Sequence, residues 1–118
     1  MLKKCDVKFT NQTLEDLRVL PKMVRNECFE KLEELENNIH LGKALENLDG
    51  INLEGYYAIY FCEAKYRIVY AKTNDSYEIV NVDKVYKPIA ELIAIGKRNN
   101  KEVYQEAYKR VLEKTKGK

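Results

Sequence analysis

The sequence predicts an α+β domain: a small, mainly antiparallel β-sheet with an N-terminal pair of helices packed on one face and a C-terminal helix. Three observations predict it. Apolar residues recur every three or four positions in residues 24–39, aromatic and β-branched residues fill residues 56–71, and a second helical stripe follows in residues 103–111. Since 118 residues suffice for one core but not for two ordinary domains, we predict a single domain over residues 1–118.

The N-terminal elements are predicted from alternation and helix-start signals. Val7 and Phe9 alternate with polar residues, which is typical of a short strand. Thr13 and Asp16 have the spacing of a capping box and predict the start of a short helix. Pro21 is suited to the first turn of a second helix, because a first-turn residue needs no N–H donor, and the apolar stripe carries that helix to about Asn37.

The middle of the chain predicts a connector followed by a hairpin. Asparagines and glycines punctuate residues 37–55, so we expect a connector with at most one helical turn. Residues 56–62 and 66–71 then predict two antiparallel strands joined by a tight turn at residues 63–65.

The C-terminal part predicts further strands and a final helix. The pattern indicates a turn at 74–76, a strand at 77–82 and a strand at 89–96, although Ile89, Leu92 and Ile93 also fit a helical stripe. The stretch 71–88 is expected to be an extended hairpin or an insertion. A last helix is predicted from Asn100, with a frayed tail at 114–118.

The charge is unevenly distributed along the chain. The total is +2, from 21 basic and 19 acidic residues. Residues 1–54 carry 8 basic and 11 acidic side chains, net −3, and residues 55–118 carry 13 and 8, net +5. The C-terminal half is therefore the half that could face a polyanion.

Several classes of protein are excluded by what the sequence lacks. It contains no GxGxxG, P-loop, GxSxG or HExxH motif, and no apolar run long enough to cross a bilayer. The N-terminus has no signal-peptide pattern, so we expect a cytoplasmic protein that does not bind membranes. With one histidine and three widely spaced cysteines, we expect free, buried thiols, no metal site and no cofactor.

Cations and phenols of the C-terminal half are the candidate functional residues. Arg67, the pair Lys97 and Arg98, and Tyr104 combine positive charge with stackable rings, which suits binding of single-stranded nucleic acid. The same groups suit phosphodiester cleavage without a metal, because a guanidinium stabilises charge on the phosphate. The alternative is structural: Arg67 would pair with a carboxylate and Tyr104 would pack on the sheet.

Three motifs resemble the RelE/ParE superfamily of toxins from bacterial type II toxin–antitoxin modules, most closely its RelE branch. They are GYYAIYF (residues 55–61), KYRIVY (residues 65–70) and, most specifically, IGKRNNKEVYQEAYKRVL (residues 95–112). The predicted order of elements fits the superfamily over nearly the whole chain. The resemblance implies a RelE/ParE-like fold and an mRNA interferase, that is, a ribosome-dependent, metal-independent mRNA endonuclease.

The resemblance also implies roles for individual residues. Arg67 and Arg98 would hold and stabilise the scissile phosphate, and Tyr104 would stack on the substrate base and take part in catalysis. Attack by the ribose 2′-OH would leave a 2′,3′-cyclic phosphate and a 5′-OH. Tyr60, Lys65 and Lys97 are the expected RNA-binding residues.

The sequence departs from the RelE pattern at the proton acceptor. RelE toxins carry lysines at two positions of the strand at residues 56–61, and this chain has Ala58 and Tyr60 there. Four residues could replace the missing base, and the spacing singles out none of them: Lys65, Lys97, Glu46 and Glu63.

Two other functions stay open. A ParE-like inhibitor of DNA gyrase would share YRIVY and need no catalytic base, and a non-catalytic protein could serve as an antitoxin-binding co-repressor. The resemblance implies a cognate antitoxin as partner in each case, with a toxin–antitoxin hetero-oligomer possible, and the ribosome and mRNA as partners for the nuclease. Superfamily membership does not by itself fix the activity.

Overall fold

The computed structural model describes residues 4–48, 50–80, 83–97 and 101–116. The side chains described are those of residues 4–47, 50–73, 89–97 and 101–113. The elements follow the chain in this order: β1 (Asp6–Lys8), α1 (Asn11–Arg18), α2 (Lys22–Asn37), β2 (Lys43–Ala44), β3 (Asn47–Leu48), β4 (Ile51–Asn52), β5 (Tyr56–Phe61), β6 (Tyr66–Val80), β7 (Asp83–Lys97) and α3 (Glu102–Lys116).

The five-stranded sheet has the order β1-β7-β6-β5-β2. All neighbouring strands are antiparallel except β1, which pairs in parallel with β7. Strands β3 and β4 form a separate small antiparallel pair. The α+β class and the mainly antiparallel sheet predicted from the sequence are therefore confirmed.

Helix α1 begins three residues earlier than its sequence signal indicates. Its N-cap is Thr10, whose hydroxyl accepts the Thr13 N–H at 3.0 Å, and the Thr13 hydroxyl accepts the Thr10 N–H at 2.7 Å. Thr13 thus closes the capping box instead of opening it, and Asp16 is left for another contact. The predicted box at Thr13 and Asp16 is wrong because a Thr–Thr pair caps the helix.

Helices α1 and α2 cover one face of the sheet. Pro21 is the N-cap of α2, which ends at Asn37 as its apolar stripe predicts. The stripe buries its side chains against alternate residues of the central strands. This core contains Leu17, Leu20, Cys28, Leu32 and Leu35 from the helical segment and Ile59, Phe61, Ile68, Tyr70 and Leu92 from the strands.

The connector between α2 and β5 is held by one buried tyrosine. The Tyr70 hydroxyl donates to the Ile39 carbonyl at 2.8 Å and accepts the Gly42 N–H at 2.9 Å. A Cβ at Gly42 would lie 2.8 Å from the Tyr70 ring, so only glycine lets the chain pass this closely. The connector then forms β2, β3 and β4, short strands where the sequence predicts at most one helical turn.

Strands β6 and β7 pair along their length, with two register shifts. The predicted turn at residues 74–76 is wrong, since β6 continues through it to Val80, and a bulge between Thr73 and Ser76 takes up the extra residue. A second bulge lies opposite Val69 and Tyr70, where β7 carries the extra residue Ile93. Residues 89–96 form a strand, as predicted.

Helix α3 packs on the opposite face of the sheet from α1 and α2. Val103 and Ala107 are buried against Val69, Ile93 and Ala94. Its backbone stays helical through Lys116, where the sequence predicts a frayed tail from residue 114. None of the described helices is long and apolar enough to span a membrane.

Candidate active site

The candidate site lies on the α3 face of the sheet, where the β5–β6 hairpin turns. Tyr60 and Arg67 are directly paired across the two strands, so their side chains share a face. The Arg67 guanidinium carbon lies 3.6 Å from the centre of the Tyr60 ring, within cation–π distance. Lys43 adds a second cation, with its Nζ 5.2 Å from the same ring.

The hairpin turn supplies acceptors for Arg67. Cys62, Glu63 and Ala64 all have positive φ, which L-residues adopt at a cost, and the Lys65 N–H closes the turn on the Cys62 carbonyl at 3.0 Å. In this conformation the Ala64 carbonyl accepts a hydrogen bond from Arg67 Nη1. Cys62 is thus a turn residue, one position beyond the end of β5.

Helix α2 fixes the turn from the other side of the sheet. A Glu27 carboxylate oxygen accepts the Cys62 N–H at 2.6 Å. Burial, reinforced by the Glu27 carboxylate, raises the pKa of the Cys62 thiol. The three cysteines are free thiols, with Cys5 and Cys28 buried and Cys62 partly exposed.

Helix α3 brings Tyr104 to the site from the far end of the sequence. Arg67 Nε donates to the Tyr104 hydroxyl at 3.0 Å, across 37 residues of chain. Val103 and Ala107 set the rotation of α3 by packing on the sheet, which directs Tyr104 towards the hairpin. Arg67 is only 6% exposed, because Tyr60, Tyr104 and the turn surround it.

A cavity of about 190 Å³ opens beside this cluster. Tyr60 and Tyr104 form part of its wall, Leu45, Ile51 and Leu53 contribute apolar surface, and Glu46 and Lys101 contribute charge. The cavity thus combines rings that can stack on a base with one acidic and one basic group. Lys101 lies in the motif at residues 95–112 but is not among the predicted site residues, and its φ is 62° just before α3.

The structure brings some of the predicted site residues together and separates others. Arg67, Tyr104 and Tyr60 form one cluster, whereas Lys65 is exposed in the hairpin turn and Lys97 is exposed beside the outer side of α3. Of the four candidate bases, Glu46 is the one that lines the cavity. Arg98 lies outside the described residues.

Solved structures of RelE toxins share this fold. A double-arginine mutant of the E. coli toxin RelE in the free state is 25% identical, with a TM-score of 0.56 over 94% of this chain and 99% of that one. The isolated E. coli RelE toxin is 26% identical, with a TM-score of 0.55 over 91% and 98%. The RelBE2 toxin–antitoxin complex of Mycobacterium tuberculosis, at 18% identity and a TM-score of 0.54 over 80% and 99%, shares the fold.

No protein-family model matches the sequence, and no curated protein matches it. The alignments with the two E. coli RelE structures nevertheless cover nearly the whole of each RelE chain and nearly all of this chain. They confirm the resemblance that the sequence motifs indicate, and the chain is RelE-like, with the fold of the toxins of the RelE branch.

Proposed function

We propose that this chain is the toxin of a bacterial toxin–antitoxin module and acts as a ribosome-dependent, metal-independent mRNA endonuclease. Support for the module comes from the similarity to RelE, including a structure of E. coli RelE with an antitoxin peptide at 26% identity. The chemistry rests on one observation, the buried Arg67 guanidinium between Tyr60 and Tyr104.

Arg67 is a buried cation, and a bound anion would neutralise its charge. Among the described residues its partners are two carbonyls, a phenol and an aromatic ring, and none is a carboxylate. A phosphate of the substrate would supply the missing negative charge and make charge-assisted hydrogen bonds. Because the Tyr60 ring covers the guanidinium, substrate entry has to displace that ring. Arg98 remains the proposed second guanidinium.

The cavity suggests how the protons move. Glu46 would accept the proton of the 2′-OH as the bond from O2′ to phosphorus forms. Tyr104 would donate a proton to the 5′-oxygen as its bond to phosphorus breaks, since the neighbouring Arg67 cation stabilises the phenolate that remains. The products would be a 2′,3′-cyclic phosphate and a 5′-OH, with Glu46 protonated and Tyr104 ionised until both exchange protons with water.

Stacking and surface charge would supply RNA binding. Tyr60 and Tyr104 offer rings at the cavity for an unpaired base. Lys65 and Lys97 are exposed away from the cavity, so we assign them to backbone phosphates beyond the scissile one. The modest total charge of +2 implies weak, salt-dependent binding of free RNA, with the ribosome providing most of the positioning.

A reconstituted translation system tests the proposal. We expect the wild-type protein to cut mRNA at codon intervals, and Glu46→Gln to cut it about 10²- to 10⁴-fold more slowly. Glu54→Gln is the matched control, because Glu54 is an exposed carboxylate nearby that does not line the cavity. Intact mRNA would contradict the nuclease. A protein that leaves mRNA intact but blocks supercoiling by DNA gyrase would favour the ParE-like function instead.

A further inference from the structure

Asp16 on α1 and Arg110 on α3 form a bidentate ion pair across the edge of the sheet. Arg110 Nη1 lies 2.6 Å from Asp16 Oδ2, and Nη2 lies 2.9 Å from Oδ1. The Asp16 side chain is only 17% exposed and the Arg110 side chain only 11%. Such a planar, two-point contact fixes the relative orientation of both groups, unlike an ordinary surface ion pair.

The pair also completes the hydrogen bonding of β7. The pairing of β1 with β7 ends at Lys8 and Glu91. The residues of β7 after Glu91 therefore have no β1 backbone beside them. There Arg110 Nη1 donates to the Ile93 carbonyl at 2.9 Å, and Asp16 Oδ2 accepts the Ile95 N–H at 3.1 Å. One carboxylate and one guanidinium thus take the place of the backbone of the missing strand.

This edge contact is coupled to the candidate site through a single helix. Arg110 lies six residues after Tyr104 on α3. Its Nε donates a hydrogen bond to the Glu106 carboxylate at 2.9 Å. Tyr104 meets Arg67 near the start of α3, and Arg110 meets Asp16 farther along it. Because an α-helix is stiff over two turns, a shift at Arg110 moves Tyr104 relative to Arg67.

We propose that Asp16 is a positioning residue for the Tyr104–Arg67 site, acting through Arg110 and α3. It touches none of the reacting groups and sets where the Tyr104 hydroxyl sits. The effect on cleavage rests on the proposed function, whereas the effect on the hydrogen bond between Arg67 and Tyr104 does not.

The first experiment follows the Arg67 Nε–H signal by ¹⁵N NMR. We expect Asp16→Ala to shift or broaden that signal, and Glu15→Ala to leave it unchanged. Glu15 is the matched control because it lies next to Asp16 on α1 and pairs only with the exposed Arg18 among the partners described. If Asp16→Ala does not fold, Asp16→Asn replaces it, because the asparagine oxygen can still accept the Ile95 N–H while the negative charge is lost. The same Arg67 signal is then measured. An unchanged Arg67 signal in a folded variant would overturn the proposal.

The second experiment measures cleavage in a double-mutant cycle with Tyr104→Phe. We expect Asp16→Ala to lower kcat about ten- to a hundredfold with little change in KM, since a small displacement costs that much in a catalytic geometry. In the Tyr104→Phe background the same substitution should cost about twofold or less. Equal losses in both backgrounds would show that Asp16 acts on stability alone. If the wild type cleaves nothing, the proposed function fails while the NMR result still decides this inference.

Discussion

Arg67 shows how one side chain organises the site. Its guanidinium offers donors in several directions, and the structure uses them for the turn, for its own strand and for α3. The sequence left open a structural alternative in which Arg67 pairs with a carboxylate, and no described carboxylate does so. Arg67 therefore combines a structural role with a positive charge that no described carboxylate neutralises.

Replacing Arg67 by lysine tests the structural part of that role. We expect Arg67→Lys to lower the free energy of unfolding by about 2–3 kcal/mol, because a lysine cannot bond Tyr104 and the turn together and would bury a poorly bonded ammonium. Urea unfolding measures the change. Lys65→Ala, at an exposed neighbour in the turn, should change it by less than about 0.5 kcal/mol. A lysine variant as stable as the wild type would show that the several hydrogen bonds of the guanidinium are not needed for stability.

Cys28 predicts how stability depends on alkaline pH. Burial raises the pKa of its thiol to about 12, well above that of an unfolded cysteine. A raised pKa means that the stability contribution is complete below the unfolded pKa, near 9, and is lost as pH rises towards 12. Between these values we expect unfolding to become easier by about 1.4 kcal/mol per pH unit from this group alone.

Comparison with Cys28→Ala isolates that contribution from the tyrosines and lysines that also titrate. The variant should be less stable near pH 7, because it leaves a small cavity, but its stability should fall less steeply above pH 9. Chemical unfolding at a series of pH values gives both curves. Parallel curves would contradict the pKa shift.

At the scale of elements, Gly42 fixes the path of the connector that delivers Glu46. A methyl group at Gly42 would press on the Tyr70 ring and on the Ala58 carbonyl, at 2.8 and 3.1 Å. We expect Gly42→Ala to cost about 1–3 kcal/mol of stability. In Gly96→Ala the added atom would lie 3.8 Å from Val103, an ordinary contact, so that variant should be nearly neutral. Thermal unfolding compares the two, and equal losses would contradict the argument.

The sequence predicts the elements better than the points where they begin and turn. The stripe of α2 has a clear helical periodicity and β5 is rich in aromatic residues, and both segments fold as these features indicate. The turn predicted at 74–76 follows from polar residues, but pairing between long strands outweighs that local preference by placing a bulge there. Bulges depend on both strands, so one strand's pattern does not reveal them.

The same distinction applies to the candidate site. Arg67 and Tyr104 could be predicted because they lie in recognisable motifs. Glu46 lies in the irregular connector, and Lys101 lies in a motif that gives it no role, so only the fold shows that both line one cavity. The spacing of Thr13 and Asp16 predicts a capping box, whereas Asp16 bonds the Ile95 N–H and Arg110, because the local and long-range partners of a side chain look alike in sequence.

At the scale of the molecule, the sheet separates the acidic helix α2 from the candidate site. The acidic α2 lies on one face, while Arg67 and Tyr104 lie on the other with α3. A polyanion at the candidate site would therefore meet the face of the sheet that lacks the α2 carboxylates.

The far part of the β6–β7 hairpin should be separable from this core. Strand β5 pairs with β6 only up to Ala71, and β1 pairs with β7 only from Ile89, so the intervening parts pair with each other among the described strands. We expect replacement of residues 75–86 by a two-residue turn to leave a cooperatively folded protein, as circular dichroism during urea unfolding would show. Loss of cooperative unfolding would show that this part supports the core.

The pairing of the first strand with the last sets when the protein can fold during its own synthesis. Strand β1 can pair only after residues 89–91 have been synthesised. Asp16 can bind Arg110 only after 94 further residues have been added. Contacts this distant in sequence form late, and a growing chain lacks them until its last helix has left the ribosome. The Tyr104–Arg67 site therefore stays incomplete in a nascent chain until α3 has emerged from the ribosome.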